Sequence, residues 1–343
     1  MDCPSVFYRF ETPPLFQYIF TRIISPLNET HCEMGHKEYL RSPEYPTRVQ
    51  PSAGTLEFTM KKLAVLLSAI LLQGCIQTMA IRTMGGIMEY GLESFNEEGD
   101  LKLAESALGS NLKLVESLIK GDPENSKLLL MAAQGFNAYA LAFAEDDSVE
   151  RARVFYLRGR DYALRVLTQN PKIKEALGKD VATFQAALQT LSKDDVPALF
   201  WTAFGWGSYI NITRSDVGAV ADLPKVIAMM EFVRQVDPTY YHGGPYLILG
   251  SIEGTLPQAL GGRPEKAKEY FDRALAVNGG KFLLTYVYYA KVYAVQKLDQ
   301  ELFQSLLQKV DDAPEDILPE ARLSNAIAKK KARLLREHMN DLF

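Results

Sequence analysis

Cysteine is almost absent from this chain: Cys3, Cys32 and Cys75 are the only three in 343 residues. So few thiols, so widely spread, exclude a disulfide framework and a thiolate zinc site, which needs several ligands close together. Histidine is as scarce, and beyond Cys75 only His242 and His338 occur. Neither stands near a nucleophile motif or at the spacing of a metal-binding pair. No catalytic residue, metal or cofactor is therefore expected, and the chain does not read as an enzyme. Positive charge is not in excess either. The formal net charge of −4 gives no basic field to recruit nucleic acid. No apolar run approaches the roughly 20 residues that span a bilayer, and no series of alternating segments suggests strands. What remains, 47% hydrophobic and 23% charged residues, is the mix of an ordinary globular protein.

One apolar run does carry information. Met60-Lys61-Lys62 is a short basic start, Leu63–Leu72 is apolar, and Gln73-Gly74-Cys75 follows. This order is the plan of a secretory signal peptide with a small residue at the cleavage site. Leu72-Gln73-Gly74-Cys75 resembles the bacterial lipobox, although Gln73 replaces the usual small residue. In that signal the cysteine carries diacylglycerol and becomes the new N-terminus, and acyl chains anchor through about 0.8 kcal/mol per buried CH₂. Cys75 is thus the expected lipidation site and the membrane the expected anchor. A signal cannot act from residue 60. Residues 1–59, punctuated by Pro13-Pro14, Pro26, Pro43, Pro46 and Pro51, are therefore expected to be an untranslated or disordered extension. Residues 60–74 would be the leader and residues 75–343 one helical domain. Ile76, rather than Asp, follows the cysteine, which leans the location from the periplasm generally towards the outer membrane.

From about residue 80 onward helix signals dominate. Amphipathic stretches end repeatedly on an Asp or Asn followed by Pro or Gly: Asp122-Pro123, Asn170-Pro171, Asp237-Pro238 and Asn278-Gly279. Proline cannot continue a helix and pushes the preceding residue out of the α region, and glycine closes a helix in the left-handed conformation. Each mark predicts a stop and a turn into the next helix. Ala267, Phe271 and Ala274 before Asn278-Gly279 match the second helix of a tetratricopeptide repeat. Gly159, Ala163 and Val166 before Pro171 are a looser copy, and Ser126–Phe143 fits a first helix rich in small residues. The spacing predicts an all-α fold, an α-solenoid-like bundle of degenerate tetratricopeptide hairpins.

The C-terminal half carries a more specific pattern: Leu249-Gly250, Pro257, Gly261-Gly262, Lys266-Ala267, Tyr270-Phe271 and Ala274-Leu275. Phe200-Trp201 with Trp206-Gly207, Ala290–Ala294 with Leu302-Phe303, and Leu323–Ala332 follow the same pattern. Together they resemble the T component associated with tripartite ATP-independent periplasmic (TRAP) transporters, the TatT family. The segment Leu101–Phe143 carries little of it, which leaves the first helices unplaced. The resemblance implies a lipid-held periplasmic protein with a hydrophobic channel in each subunit of a homotrimer. Its implied partners are the transporter's substrate-binding protein and a hydrophobic or carboxylated small molecule.

Both tryptophans lie in Phe200–Ile210, a segment apolar nearly all round and so expected to be buried. Asp194 or Asp195 is placed to cap it. Trp201, Phe204, Trp206 and Tyr209 either fill a core or wall a ligand channel. Tyr240, Tyr241 and Tyr246 belong to a Gly/Pro-punctuated stretch expected to be a loop, either plain or at a pocket mouth. Gly261-Gly262 lacks the Lys-Ser/Thr of a phosphate loop, and Lys329–Lys331 reads as a solvated helix face. Two functions fit: a binding component with a small ligand, or a ligand-free scaffold organising an envelope complex.

Overall fold

The computed structural model describes residue 81, residues 86–256 and residues 261–343. The chain divides into two units, Met1–Leu63 and Ala64–Phe343, and every described residue belongs to the second. The expected leader, Cys75 and the extension before them lie outside the described residues.

All regular structure among the described residues is helical, an all-α fold. Local capping chemistry sets many of the helix starts, above all in the N-terminal half. After a helical segment at 86–96, Asp100 opens α1 (Leu101–Gly121) by accepting the N–H groups of Lys102 and Leu103. Asn125 caps α2 (Ser126–Tyr139), which continues into one π turn, Ala140–Ala144. Ser148 caps α3 (Val149–Leu167), Asn170 caps α4 (Pro171–Ala176) and Asp180 caps α5 (Val181–Leu188). Then come the aromatic helix α6 (Val196–Ile212), the single turn α7 (Val217–Val220) and α8 (Leu223–Val236). They are followed by α9 (Tyr240–Thr255) and α10 (Pro264–Asn278). Next, α11 (Leu284–Tyr288) runs into a second π turn, Tyr289–Ala294. The last helices are α12 (Gln300–Asp312), α13 (Arg322–Glu337) and α14 (Met339–Leu342).

The four predicted stops hold. Helix α1 ends before Asp122, α3 before Asn170, α8 before Asp237 and α10 at Asn278, where Gly279 turns left-handed at φ 61°. Two local expectations are corrected. Asp195 makes no cap to α6; its carboxylate is engaged by Ser192 in the preceding 3₁₀ turn. Tyr240–Tyr246 is a turn only in part: Tyr241, His242 and Gly243 take left-handed, non-helical backbone that kinks α9, while Tyr246 lies in the helix beyond the kink. Aromatic packing against Phe200, Trp201 and Phe282 holds this bend.

The long helices pack in succession, α1 on α2, α2 on α3, α8 on α9 and α9 on α10, with α6 bridging α3 and α8 across the short helices between them. Helix α13 then packs on both α12 and α1. Small residues permit the tightest crossing. Asn137 of α2 is wholly buried and donates to the Trp201 carbonyl at 3.1 Å. A Cβ on Gly159 or on Gly205 would stand 2.6 Å from its Oδ1. Three helices therefore meet around one amide. The core has one large cluster built largely from α1, α2 and α10–α13, a second built largely from α3–α6, α8 and α9, and a small third one of Ala140, Ala144, Ala152 and Tyr156.

Candidate functional site

Between these clusters the packing leaves a cavity of about 540 Å³, within the usual range for a small-molecule pocket. Helix α6 contributes Phe204, Gly207, Ser208 and Asn211, spaced three or four apart and so on one face. Helix α9 contributes Leu247, Ile248, Ser251, Ile252 and Thr255, and the second π turn contributes Lys291 and Val292, with Val295 beyond it. The lining is mainly aliphatic. Glycine lets the walls close tightly on their neighbours: a Cβ on Gly254 would lie 2.6 Å from Val292 Cγ1, and one on Gly207 would lie 3.2 Å from Val226 Cγ1.

The polar groups are few and placed. Glu145, directly after the first π turn, accepts the hydroxyl of fully buried Tyr156 at 2.5 Å and faces Lys291 of the second π turn at 3.8 Å. Burial, reinforced by Glu145, holds the Tyr156 phenol far above its usual range, so it stays a donor. Tyr288, also in the wall, is raised by burial and then by Glu145 and Asp146. Arg214 lines the cavity beyond the end of α6, donating to the Asn211 carbonyl at 3.0 Å and to the Asn211 side chain. Among the described residues it has no carboxylate within ion-pair distance, and burial lowers its pKa. Gln296 donates to the Leu256 carbonyl at 3.3 Å, while its buried Oε1 has no partner among the described residues. An unmet buried acceptor costs about 1–3 kcal/mol, which a ligand N–H or O–H would recover. The site offers an apolar sleeve, one unpartnered buried acceptor among the described residues, a carboxylate at Glu145 and cations of both kinds.

Of the seven aromatic candidates, Phe204 lines this cavity. Trp201, Tyr240 and Tyr241 join Phe204 and Phe200 in a packed aromatic cluster, with ring centroids 5.0 Å apart for Trp201–Tyr241 and for Phe200–Tyr240. Burial raises the Tyr240 phenol to about 12. Trp206 is buried elsewhere under the Arg160 guanidinium, Tyr209 lies beside Arg153, and Tyr246 neighbours Tyr270. The residues that sequence reasoning passed over are Ser208, Asn211, Arg214, Ser251, Tyr288, Lys291 and Gln296. For Ser208 and Asn211 the available signal is the 204–207/208–211 stripe on an otherwise greasy helix; the other five carry none.

A family model of the TRAP transporter T-component matches residues 97–343. The chain belongs to the TRAP transporter T-component family. An uncharacterized protein of Treponema pallidum (strain Nichols) is similar to it, 25% identical over 265 residues, 73% of this chain and 82% of that protein. The T-component match begins before α1, so it takes in the helices that carry little of the family pattern. The motif residues of this T-component chain have structural work. Gly250 backs onto Tyr270 and Phe271, and Gly254 onto Ala267. Glu253 pairs with Arg263 and lies 3.7 Å from Lys266, and Tyr270 donates to Glu231 at 2.7 Å. Asn325 is buried, accepts from Leu283 N–H at 2.9 Å and donates to the Lys281 carbonyl at 3.0 Å, fixing the entrance to α11. These contacts hold α8, α9 and α10 together and fix α11, beside the cavity wall.

Proposed function

We propose that this T-component protein is a lipid-anchored periplasmic accessory of a TRAP-type transport system, held to the outer membrane through Cys75. It binds the system's substrate-binding protein and takes a hydrophobic small molecule into the α6–α9 cavity. The tetratricopeptide-like hairpins supply the docking surface, and the working unit is a homotrimer. The observation that carries this reading is the apolar cavity with its sparse, fixed polar groups, the composition of a ligand pocket rather than of a packing defect. Family membership supports the transport association, and the basic start, apolar run and lipobox-like Cys75 support the anchor.

Pull-down from the native envelope, with mass spectrometry of co-purifying proteins and small molecules, tests it. The expected result is a TRAP substrate-binding protein together with an apolar compound. Recovery of an envelope assembly complex with neither would replace this reading with a ligand-free scaffold. Labelled palmitate should enter the protein and be lost with Cys75→Ser.

A further inference from the structure

A second concavity lies between α1 and α3, with a volume of about 480 Å³. Its lining includes Lys113 and Lys120 of α1, Arg158 and Arg165 of α3, and Glu116 and Tyr162 between them. Lys113 and Lys120 are seven residues apart, as are Arg158 and Arg165. Seven residues rise about 10 Å along a helix, so each helix presents two cations at that interval, and the two helices frame a four-cornered site.

The frame is built rather than casual. Glu116 is 7% exposed and accepts Lys113 Nζ at 2.6 Å and the Tyr162 hydroxyl at 2.7 Å, and it pairs with Arg158. Arg158 lies over the Phe136 ring at 4.5 Å, and Arg165 donates to the Pro123 carbonyl at 2.5 Å while lying over Tyr162 at 5.7 Å. Both guanidinium groups are therefore held in place before any ligand arrives, which lowers the ordering cost of binding. Lys120 has no ion-pair partner among the described residues. Among the described residues Glu116 is the single carboxylate lining the cleft, which leaves three of its four positive charges unbalanced there, in a chain whose net charge is −4.

Spacing decides what fits. One small anion cannot reach cations about 10 Å apart, whereas an extended chain covers that distance in three residues at about 3.3 Å each, and an acidic helix covers it in two turns. We propose that the α1–α3 cleft docks an acidic segment of a partner protein whose carboxylates meet the two pairs of cations. The inference rests on the docking half of the function proposed above and not on the cavity; the native pull-down separates the two, since a TRAP binding protein can be retained through another face.

The test uses the chain from residue 75 onward and four probes: a fluorescein-labelled peptide of alternating glutamate and glycine, its glutamine counterpart, inorganic phosphate, and phosphatidylglycerol vesicles. The glutamate peptide should bind, weaken as salt rises and lose about tenfold in affinity with Lys120→Glu, an exposed residue with no ion pair among the described residues. Lys102→Glu, the same charge change on the same helix outside the cleft, should leave binding unaltered, and circular dichroism should confirm that both variants fold. Equal loss in the two variants, failure of the glutamate peptide to bind, or Lys120-dependent binding of vesicles or phosphate instead of the peptide would overturn the proposal.

Discussion

At Gly205 one methyl group would decide how closely three helices meet. Its Cβ would stand 2.6 Å from Asn137 Oδ1 and 2.8 Å from the Tyr156 carbonyl oxygen. The second of these is backbone and cannot swing aside. Gly205→Ala should therefore cost about 1–3 kcal/mol, the usual range for an overpacked core. Urea unfolding should show it as a lowered midpoint, while Gly178→Ala, with nothing within 4 Å, should leave the midpoint close to that of the parent. The same scale explains why the site was hard to see in the sequence. Tryptophan and tyrosine attract attention, yet Trp201 and Trp206 are buried in packed surroundings, because the largest apolar groups gain most from leaving water. A cavity forms where side chains leave room, and Ser208 and Ser251 line this one with short side chains. Smallness gives no signal on its own, since Gly159 and Gly205 are just as small and serve helix contact instead.

Among the elements, α13 departs most from what its residues suggest. Lys329–Lys331 reads as a solvated face, but Lys331 is 6% exposed and pairs with Asp146 at 2.9 Å. Lys330 also reaches Asp146, at 3.6 Å, and donates to the Ala142 carbonyl at 3.1 Å. Lys329 donates to the Ala313 carbonyl. The partner of Lys331 lies 185 residues away, and no local pattern announces a pairing at that distance. Helix starts and stops were legible because Asn-Pro, Asp-Pro and Asn-Gly act within a few residues. The two π turns were not, since their register depends on what packs against them. Removing Asp146 strands a buried ammonium. Asp146→Ala should cost on the order of 2–3 kcal/mol, less than for a fully enclosed pair because the Asp146 side chain keeps 23% exposure. Adding Lys331→Met should return part of that loss, and chemical denaturation of the two variants measures both values.

For the whole molecule, the all-α class and the T-component family were readable from punctuation and motif order, and the α6–α9 cavity was not. The cavity is assembled from residues between Glu145 and Gln296, so it exists only once distant helices are in place. Ser251, partly buried in its wall and hydrogen-bonded to the Leu247 carbonyl at 2.8 Å, is the position from which to close it. Ser251→Trp should weaken binding of the fluorescent apolar probe 1-anilinonaphthalene-8-sulfonate by about tenfold, or 1.4 kcal/mol. An unchanged affinity would place that probe elsewhere on the protein.

The grip of α13 on α1 and on the turn after α2 has a temporal side. During synthesis the segment bearing Asp146 emerges long before Lys330 and Lys331, so a growing chain must wait with its opening strap unfastened until the buckle is made. Long-range closures of this kind are slow steps. The clasp is made late, and a chain halted before residue 330 would lack it.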